Sequence, residues 1–236
     1  MMLREFSFRA LLRYVFRRQS IGCCMPLLQV LQARGYAASV MTGRSMDAAG
    51  EPLPWYSYPA IDYIRGLDLR DKTVFEFGGG FSTLFWASRA RSVSTVESNR
   101  EWHGKLASHI PPNVNLVLRE DEPGYLGVLR ESLALFDIIV VDGDANVVNR
   151  RKMAEVALKK CASGGFIILD NSDCHVKAAQ VLRDADLLQV DMAGFAPCST
   201  VEQTTSFFFD RHCHLKPREK WQPVKSPGSM RHYVEE

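Results

Sequence analysis

The sequence predicts a doubly wound α/β domain, with a mostly parallel seven-stranded sheet whose last strand is antiparallel, preceded by a helical N-terminal extension. Three observations carry this. From Lys72 onward, short apolar runs alternate with helical patterns at a spacing of ~20–25 residues, the pattern of right-handed βαβ units. Runs such as Phe136-Asp-Ile-Ile-Val-Val141 are apolar almost throughout, as strands covered on both faces require. The last two strand patterns have no helical segment between them, so they should pair antiparallel at the edge of the sheet.

In order along the chain, Pro26 to Arg34 reads as a short helix stopped by Gly35. Residues 41–54 hold Gly43, Gly50, Pro52 and Pro54 and read as a loop. Pro59 suits the first turn of a helix running through Ile61, Ile64 and Leu67. Strands follow at 73–77, 92–97, 114–119, 136–142 and 165–170, with helices near 82–90, 99–109, 124–134 and 149–161 between them. A helix near 174–184 leads to the final strands, 187–192 and 204–210. The expected boundaries are an extension with an aromatic lid segment over 1–57, a main domain over 58–215 and a coil tail over 216–236, where prolines and charges gather.

The bulk numbers exclude several classes. Of 236 residues 46% are hydrophobic and 24% charged, which suits one folded domain and argues against disorder. The net charge of +2 is unevenly placed: five arginines against Glu5 put +4 on the first 20 residues, leaving −2 on the rest. A mildly acidic main domain gives no electrostatic basis for nucleic-acid binding. Cysteines at 23, 24, 161, 174, 198 and 213 form no C-x-x-C pair and follow no secretory segment, which fits reduced thiols and a cytoplasmic protein. No apolar run approaches the ~18 residues of a transmembrane helix. The Arg-rich start leaves three readings open: a docked or frayed helix, a cleavable targeting segment, or a membrane-surface contact. The last two would place the protein in an organelle or on a membrane.

Val74-Phe-Glu-Phe-Gly78-Gly79-Gly80-Phe-Ser82-Thr83 leaves a strand and enters a helix. Gly78 and Gly80 let the backbone turn tightly and approach a ligand. A dinucleotide site prefers G-x-G-x-x-G, and here its third position is Thr83. Glu76, on the last turn of the strand, would repel a pyrophosphate and attract a cationic ligand such as a sulfonium carrying an amino group. A structural glycine turn beside a buried acid is the competing reading.

On these residues the chain resembles the class I S-adenosylmethionine-dependent methyltransferases, which share a Rossmann-like fold. Their first motif, an acid followed by G-x-G, appears as Glu76-x-Gly78-x-Gly80, with Ser82 where many members carry a third glycine. The resemblance covers residues 58–210. It implies S-adenosylmethionine as cofactor, its methionine portion held by Glu76 and the turn Gly78, Gly79, Gly80, Ser82 and Thr83. It further implies that Glu97, at the end of Ser94-Thr-Val-Glu97, accepts the ribose hydroxyls and that Asp121 sits near the adenine amine. In isolation Glu97 and Asp121 read equally as solvated charges. Trp55, Tyr56 and Tyr58, before the first helix of the domain, either lid the cofactor by stacking and cation–π contact or pack the extension on the sheet.

Asp142-Gly143-Asp144 ends the fourth strand and Asp170-Asn171-Ser172-Asp173 the fifth, at the edge where open α/β sheets bind ligands. Asp142, Asp170 and Asn171 resemble the metal triad of catechol O-methyltransferase-like enzymes, which implies a hard cation such as Mg²⁺ chelated by carboxylate and amide oxygens. Asp-Gly-Asp followed by Arg150-Arg151 departs from that subgroup and is closer to macrocin-type sugar O-methyltransferases. The three residues are therefore catalytic candidates on three open readings: metal ligands, metal-free base or acceptor contacts (with Asp144), or structural acids. His212-Cys213-His214 is a soft-ligand cluster without a second ligand pair, and His103 and His109 read as solvated or core-edge residues.

The expected function is methyl transfer to a hydroxyl of a small metabolite, a sugar or a phenol. The alternatives are another transferase of the same fold, such as an aminopropyl transferase, and a non-catalytic protein that binds the cofactor or a partner. A nicotinamide dehydrogenase is disfavoured by Glu76 and Thr83. The sequence leaves the oligomeric state open, a dimer included.

Overall fold

A computed structural model describes residues 18–144, 146–220 and 224–227, with side chains from Cys24 onward. The expectations for the Arg-rich start up to Arg17 and for most of the tail lie outside the described residues. Among the described residues no helix is long and apolar enough to cross a membrane.

Helices α1 (Arg18–Ala33) and α2 (Tyr36–Thr42) form the extension, and α3 (Tyr58–Arg65) opens the main domain. The helix expected from Pro26 starts eight residues earlier, so Pro26 is a helix-interior residue whose ring removes one N–H donor. The chain then alternates as β1 (Thr73–Phe77), α4 (Phe81–Ala87), β2 (Ser92–Glu97), α5 (Arg100–Ala107), β3 (Val114–Leu118), α6 (Glu122–Arg130), β4 (Phe136–Val141), α7 (Arg150–Lys160), β5 (Cys161–Leu169) and α8 (Val176–Asp184). Strands β6 (Leu188–Phe195) and β7 (Glu202–Phe209) finish it.

One sheet of seven strands results, in the order β3-β2-β1-β4-β5-β7-β6. Strands β1 to β5 are parallel, and β7 runs antiparallel to both β5 and β6, so the reversed strand is slotted between them and β6 forms the edge. The order reverses between β1 and β4, the switch point where the turns leaving adjacent strands diverge and open a crevice.

Both faces of the sheet are covered, and the strand alternation divides the apolar residues between them. Ile138, Val140, Phe207 and Phe209 join Ile61, Ile64 and Trp86 on one face. Ile139, Val141 and Phe208 join Tyr125, Leu129 and Met153 on the other. This two-sided burial is the reason the strands read as continuous apolar runs rather than alternating ones. Each fully buried side chain of this size contributes ~1.5–3 kcal/mol, and the register sets Phe77, Val141 and Leu169 side by side, so the carboxyl ends of β1, β4 and β5 are level with one another.

The start of the tail is tied down. Asp68 N–H donates to the Lys216 carbonyl at 2.8 Å and Arg218 N–H to the Gly66 carbonyl at 2.8 Å, so the chain after β7 pairs with the turn that follows α3. The coil expected from Lys216 is thus docked by its backbone through Arg218.

Candidate functional site

The carboxyl ends of β1, β2, β4 and β5 open into a cavity of about 600 Å³. Its floor is the glycine turn Gly78–Ser82, and its walls carry Glu97, Trp102, the Asp142–Asp144 turn, Arg150, Asp170 and Asn171. Leu53 and Trp55 of the extension close one side.

The turn is pinned from three directions. Gly78, at φ +89°, donates its N–H to the Val96 carbonyl at 2.9 Å, and a Cβ there would lie 2.9 Å from the Asp142 carbonyl oxygen. Only glycine tolerates both that φ and that approach of the β4 turn. Gly79 N–H donates to Glu97 Oε2 at 2.9 Å, and Trp102 Nε1–H donates to the Gly79 carbonyl at 2.6 Å. Gly80 N–H donates to Thr83 Oγ1, whose hydroxyl donates to Glu76 Oε2.

Glu76 and Thr83 are therefore fully buried beneath the turn and do not line the cavity. Thr83, placed in the binding set from sequence, supports the turn from below. The other carboxylate oxygen of Glu76, Oε1, is buried with no hydrogen-bond partner. Burial raises the Glu76 pKa from 4.5 to about 8, the nearby Asp142 charge adding to it and the Ser82 and Thr83 hydroxyls opposing it.

Glu97 accepts three backbone N–H groups: Gly79 on Oε2, and Ser98 at 2.7 Å and Asn99 at 2.6 Å on Oε1. A carboxylate offers about four lone-pair positions, so about one remains for a ligand hydroxyl where the sequence reading has two.

On β4 and β5 the acids meet a cation of the chain itself. Arg150, in the first turn of α7, donates to Asp142 Oδ1 at 2.9 Å, to the Gly143 carbonyl at 3.2 Å and to the backbone carbonyl of Asp170, and it reaches Asn171 Oδ1 at 3.5 Å. Asp170 is 1% exposed. It accepts the Thr205 hydroxyl at 2.6 Å and the Gln203 amide at 3.2 and 3.3 Å, both from the reversed strand β7. Burial first, and then the Asp142 charge, push the Asp170 carboxyl well above the usual carboxylate range. Burial raises the Asp142 carboxyl as well, and there the Arg150 guanidinium opposes it.

These residues do not fit a divalent metal. The guanidinium already supplies the positive charge between Asp142 and Asn171, and the Asp170 oxygens are already taken up by the Thr205 hydroxyl and the Gln203 amide. Among the described residues no group of three or more His, Cys, Asp or Glu could hold a metal ion. The Asp142–Asp170–Asn171 metal triad expected from sequence is in this chain an arginine-centred cluster.

Two other expected site residues lie elsewhere. Tyr58 is buried in the core under the Arg34 guanidinium, 4.8 Å from its ring centroid, and does not face the cavity. Asp121 is the N-cap of α6, accepting Gly124 N–H at 3.0 Å, and is absent from the cavity wall. The aromatic segment divides the same way: Trp55 lines the cavity at 56% exposure, whereas Tyr56 is buried and accepts Trp86 Nε1–H at 3.3 Å. Trp102, Arg150 and Gln203 were not foreseen as site residues. Arg150 had a signal, an arginine opening the helix after Asp-Gly-Asp; Gln203 had none, because only sheet order brings it beside Asp170.

No protein-family model matches the chain, and no curated protein does. Among solved structures, it is similar to a precorrin-6y C5,15-methyltransferase from Geobacter metallireducens GS-15. The identity is 15% and the TM-score 0.50, over 64% of this chain and 86% of that one. The fold is that of the S-adenosylmethionine-dependent methyltransferases. Two further likenesses stand at lower TM-scores. A precorrin 8W decarboxylase from Methanobacterium thermoautotrophicum gives 0.49 at 20% identity, over 64% of this chain and 88% of that one. The O-methyltransferase TomG from Streptomyces achromogenes, solved in complex with SAM, gives 0.48 at 15% identity, over 77% and 89%. Within this methyltransferase fold the cavity lies at the switch point, against the turn leaving β1.

Proposed function

We propose that the chain transfers a methyl group from S-adenosylmethionine to a hydroxyl of a small metabolite, a sugar or a phenol, without a metal ion. The observation that carries this reading is the convergence of the glycine turn, Glu97 and the Asp142–Arg150 pair on one cavity of about 600 Å³, within the ~300–1,000 Å³ usual for small-ligand sites.

The residues fit the cofactor's chemistry. At Gly80 a Cβ would meet nothing closer than 3.8 Å, so that side of the turn is open to a ligand. Glu76 holds the turn from beneath through Thr83, so its part is to shape the turn that the ligand meets. Glu97 has an acceptor position left for one ribose hydroxyl, and Trp55 and Trp102 offer aromatic faces along the wall. When bound, S-adenosylmethionine supplies an electrophilic methyl group on a sulfonium.

Asp142 is the acid that reaches the acceptor. Its side chain is 21% exposed beside an Arg150 that is 9% exposed, whereas Asp170 is enclosed. In this reading Asp142 accepts the hydrogen bond of the acceptor hydroxyl and then its proton, while Asp170 and Asn171 hold Arg150 in place. Orientation in a water-poor cleft can supply much of the rate, since well-oriented reactants reach effective molarities of ~10⁵–10⁸ M.

Calorimetric titration of the chain with S-adenosylhomocysteine, and separately with NAD, tests the reading. Saturable binding of the first and none of the second supports it. Tight NAD binding with no response to S-adenosylhomocysteine would sink it.

A further inference from the structure

At the other end of β1 from the cavity just described lies a second one of about 390 Å³, lined by four arginines, Arg65, Arg70, Arg89 and Arg218, with Asp68 the one acid on its wall. Two of the four are spoken for: Arg65 pairs with Asp47 at 2.7 Å, and Arg70 with Asp68 at 2.8 Å. Arg89 and Arg218 have no carboxylate partner among the described residues. Arg89 lies over the Phe85 ring at 3.8 Å and donates through one terminal nitrogen to the Phe85 carbonyl and the Ser88 hydroxyl, but among the described residues its other terminal nitrogen has no partner and its Nε–H is buried with no acceptor. Burial, and then the charges of Arg65 and Arg218, pull its pKa down to about 10, while the carboxylates of Asp47 and Glu51 oppose this more weakly. A guanidinium carried into the wall beside two others, with a donor left over, is an arrangement that an anion would complete.

We propose that this arginine-lined cavity binds a phosphate monoester, its dianionic head held by Arg89 and Arg218. The two guanidinium groups without a carboxylate partner match the two charges of the head. A cavity of this size also leaves room for the carbon portion of an ester, which inorganic phosphate lacks. Arg218 reaches the cavity because the start of the tail is docked by its backbone on Gly66. The site is separate from the methyl-transfer cavity and does not rest on the function proposed for it.

Titration calorimetry of the full chain at low ionic strength, with glycerol 3-phosphate and with inorganic phosphate, tests this. Saturable binding of the ester is expected, tighter than that of inorganic phosphate and unaffected by S-adenosylhomocysteine. Removing one charged donor should weaken it about tenfold or more in Arg218→Ala and in Arg89→Gln. Arg218 is exposed, so its replacement leaves the fold intact even if Arg89→Gln does not. Wild-type affinity in Arg218→Ala, or no saturable binding of either phosphate, overturns the proposal. A preference for inorganic phosphate overturns the ester.

Discussion

Replacing Glu76 by Gln isolates the protonation of a carboxyl group that the fold encloses completely. Its pKa lies at about 8 in the folded chain, against an ordinary value of 4.5. The folded state therefore keeps a proton that the unfolded chain gives up. The stability this contributes is full below about pH 4.5 and is lost as the pH rises to about 8, levelling off above. Each pH unit in that window removes ~1.4 kcal/mol, or ~5 kcal/mol across it. Against a total of ~5–15 kcal/mol for a domain, the effect should dominate the alkaline side of the stability profile.

The Gln variant is neutral at every pH. Its amide oxygen keeps the acceptor for the Thr83 hydroxyl, and its amide N–H has a ready partner in Thr95 Oγ1. That oxygen is buried without a partner, on the residue that stands opposite Glu76 in the β1–β2 register. Urea unfolding at about pH 5 and about pH 8 should show the wild type losing several kcal/mol that Glu76→Gln retains. The variant should be the more stable protein at the higher pH. Asp142 and Asp170, both also raised by burial, contribute a decline of the same sign to both proteins, so only the difference between them belongs to Glu76. Parallel stability profiles for the two proteins would refute the reasoning.

Three more perturbations separate the parts of the site. Gly78→Ala combines a positive φ with a Cβ 2.9 Å from the Asp142 carbonyl; ~2–5 kcal/mol of stability should be lost, with S-adenosylhomocysteine affinity, and a urea midpoint near wild type would contradict this. Arg150→Met leaves Asp142 unpaired and frees two backbone carbonyls, which should remove ~3 kcal/mol or more, whereas EDTA should leave the wild-type thermal midpoint unchanged. A fall of that midpoint in EDTA would restore the metal reading. Asp121→Ala removes only the cap of α6: about 1 kcal/mol less stability and unchanged S-adenosylhomocysteine affinity are expected, and a weakened titration would return Asp121 to the binding site.

What was legible in the sequence was what depends on neighbours along the chain. The strands were readable because Ile138 to Val141 and Phe207 to Phe209 supply apolar residues to both faces of the sheet. The glycine turn was readable because Gly78 must take a conformation that its residue type announces. Long-range contacts were not. Thr205 and Gln203 reach Asp170 only because the reversed strand enters between β5 and β6, and nothing in Glu202 to Phe209 states that register. Tyr58 and Asp121 lie away from the cavity wall for a local reason: an aromatic before Pro59 and an acid two residues before Pro123 also suit core packing and a helix cap.

The exchange of a metal for Arg150 narrows the acceptor chemistry of the proposed reaction. A divalent ion chelates two adjacent oxygens and favours the deprotonated acceptor. A guanidinium already bonded to Asp142, Gly143 and Asp170 has few donors left and cannot open coordination positions. Its charge instead favours the ionised form of Asp142 against the burial that disfavours it, while Asp170 is enclosed by Thr205 and Gln203. One ionised carboxylate facing the cavity suits a single hydroxyl donor better than a chelating diolate. Such an acceptor is recognised by where its hydroxyl sits relative to Asp142, so a vicinal diol gains nothing from its second oxygen.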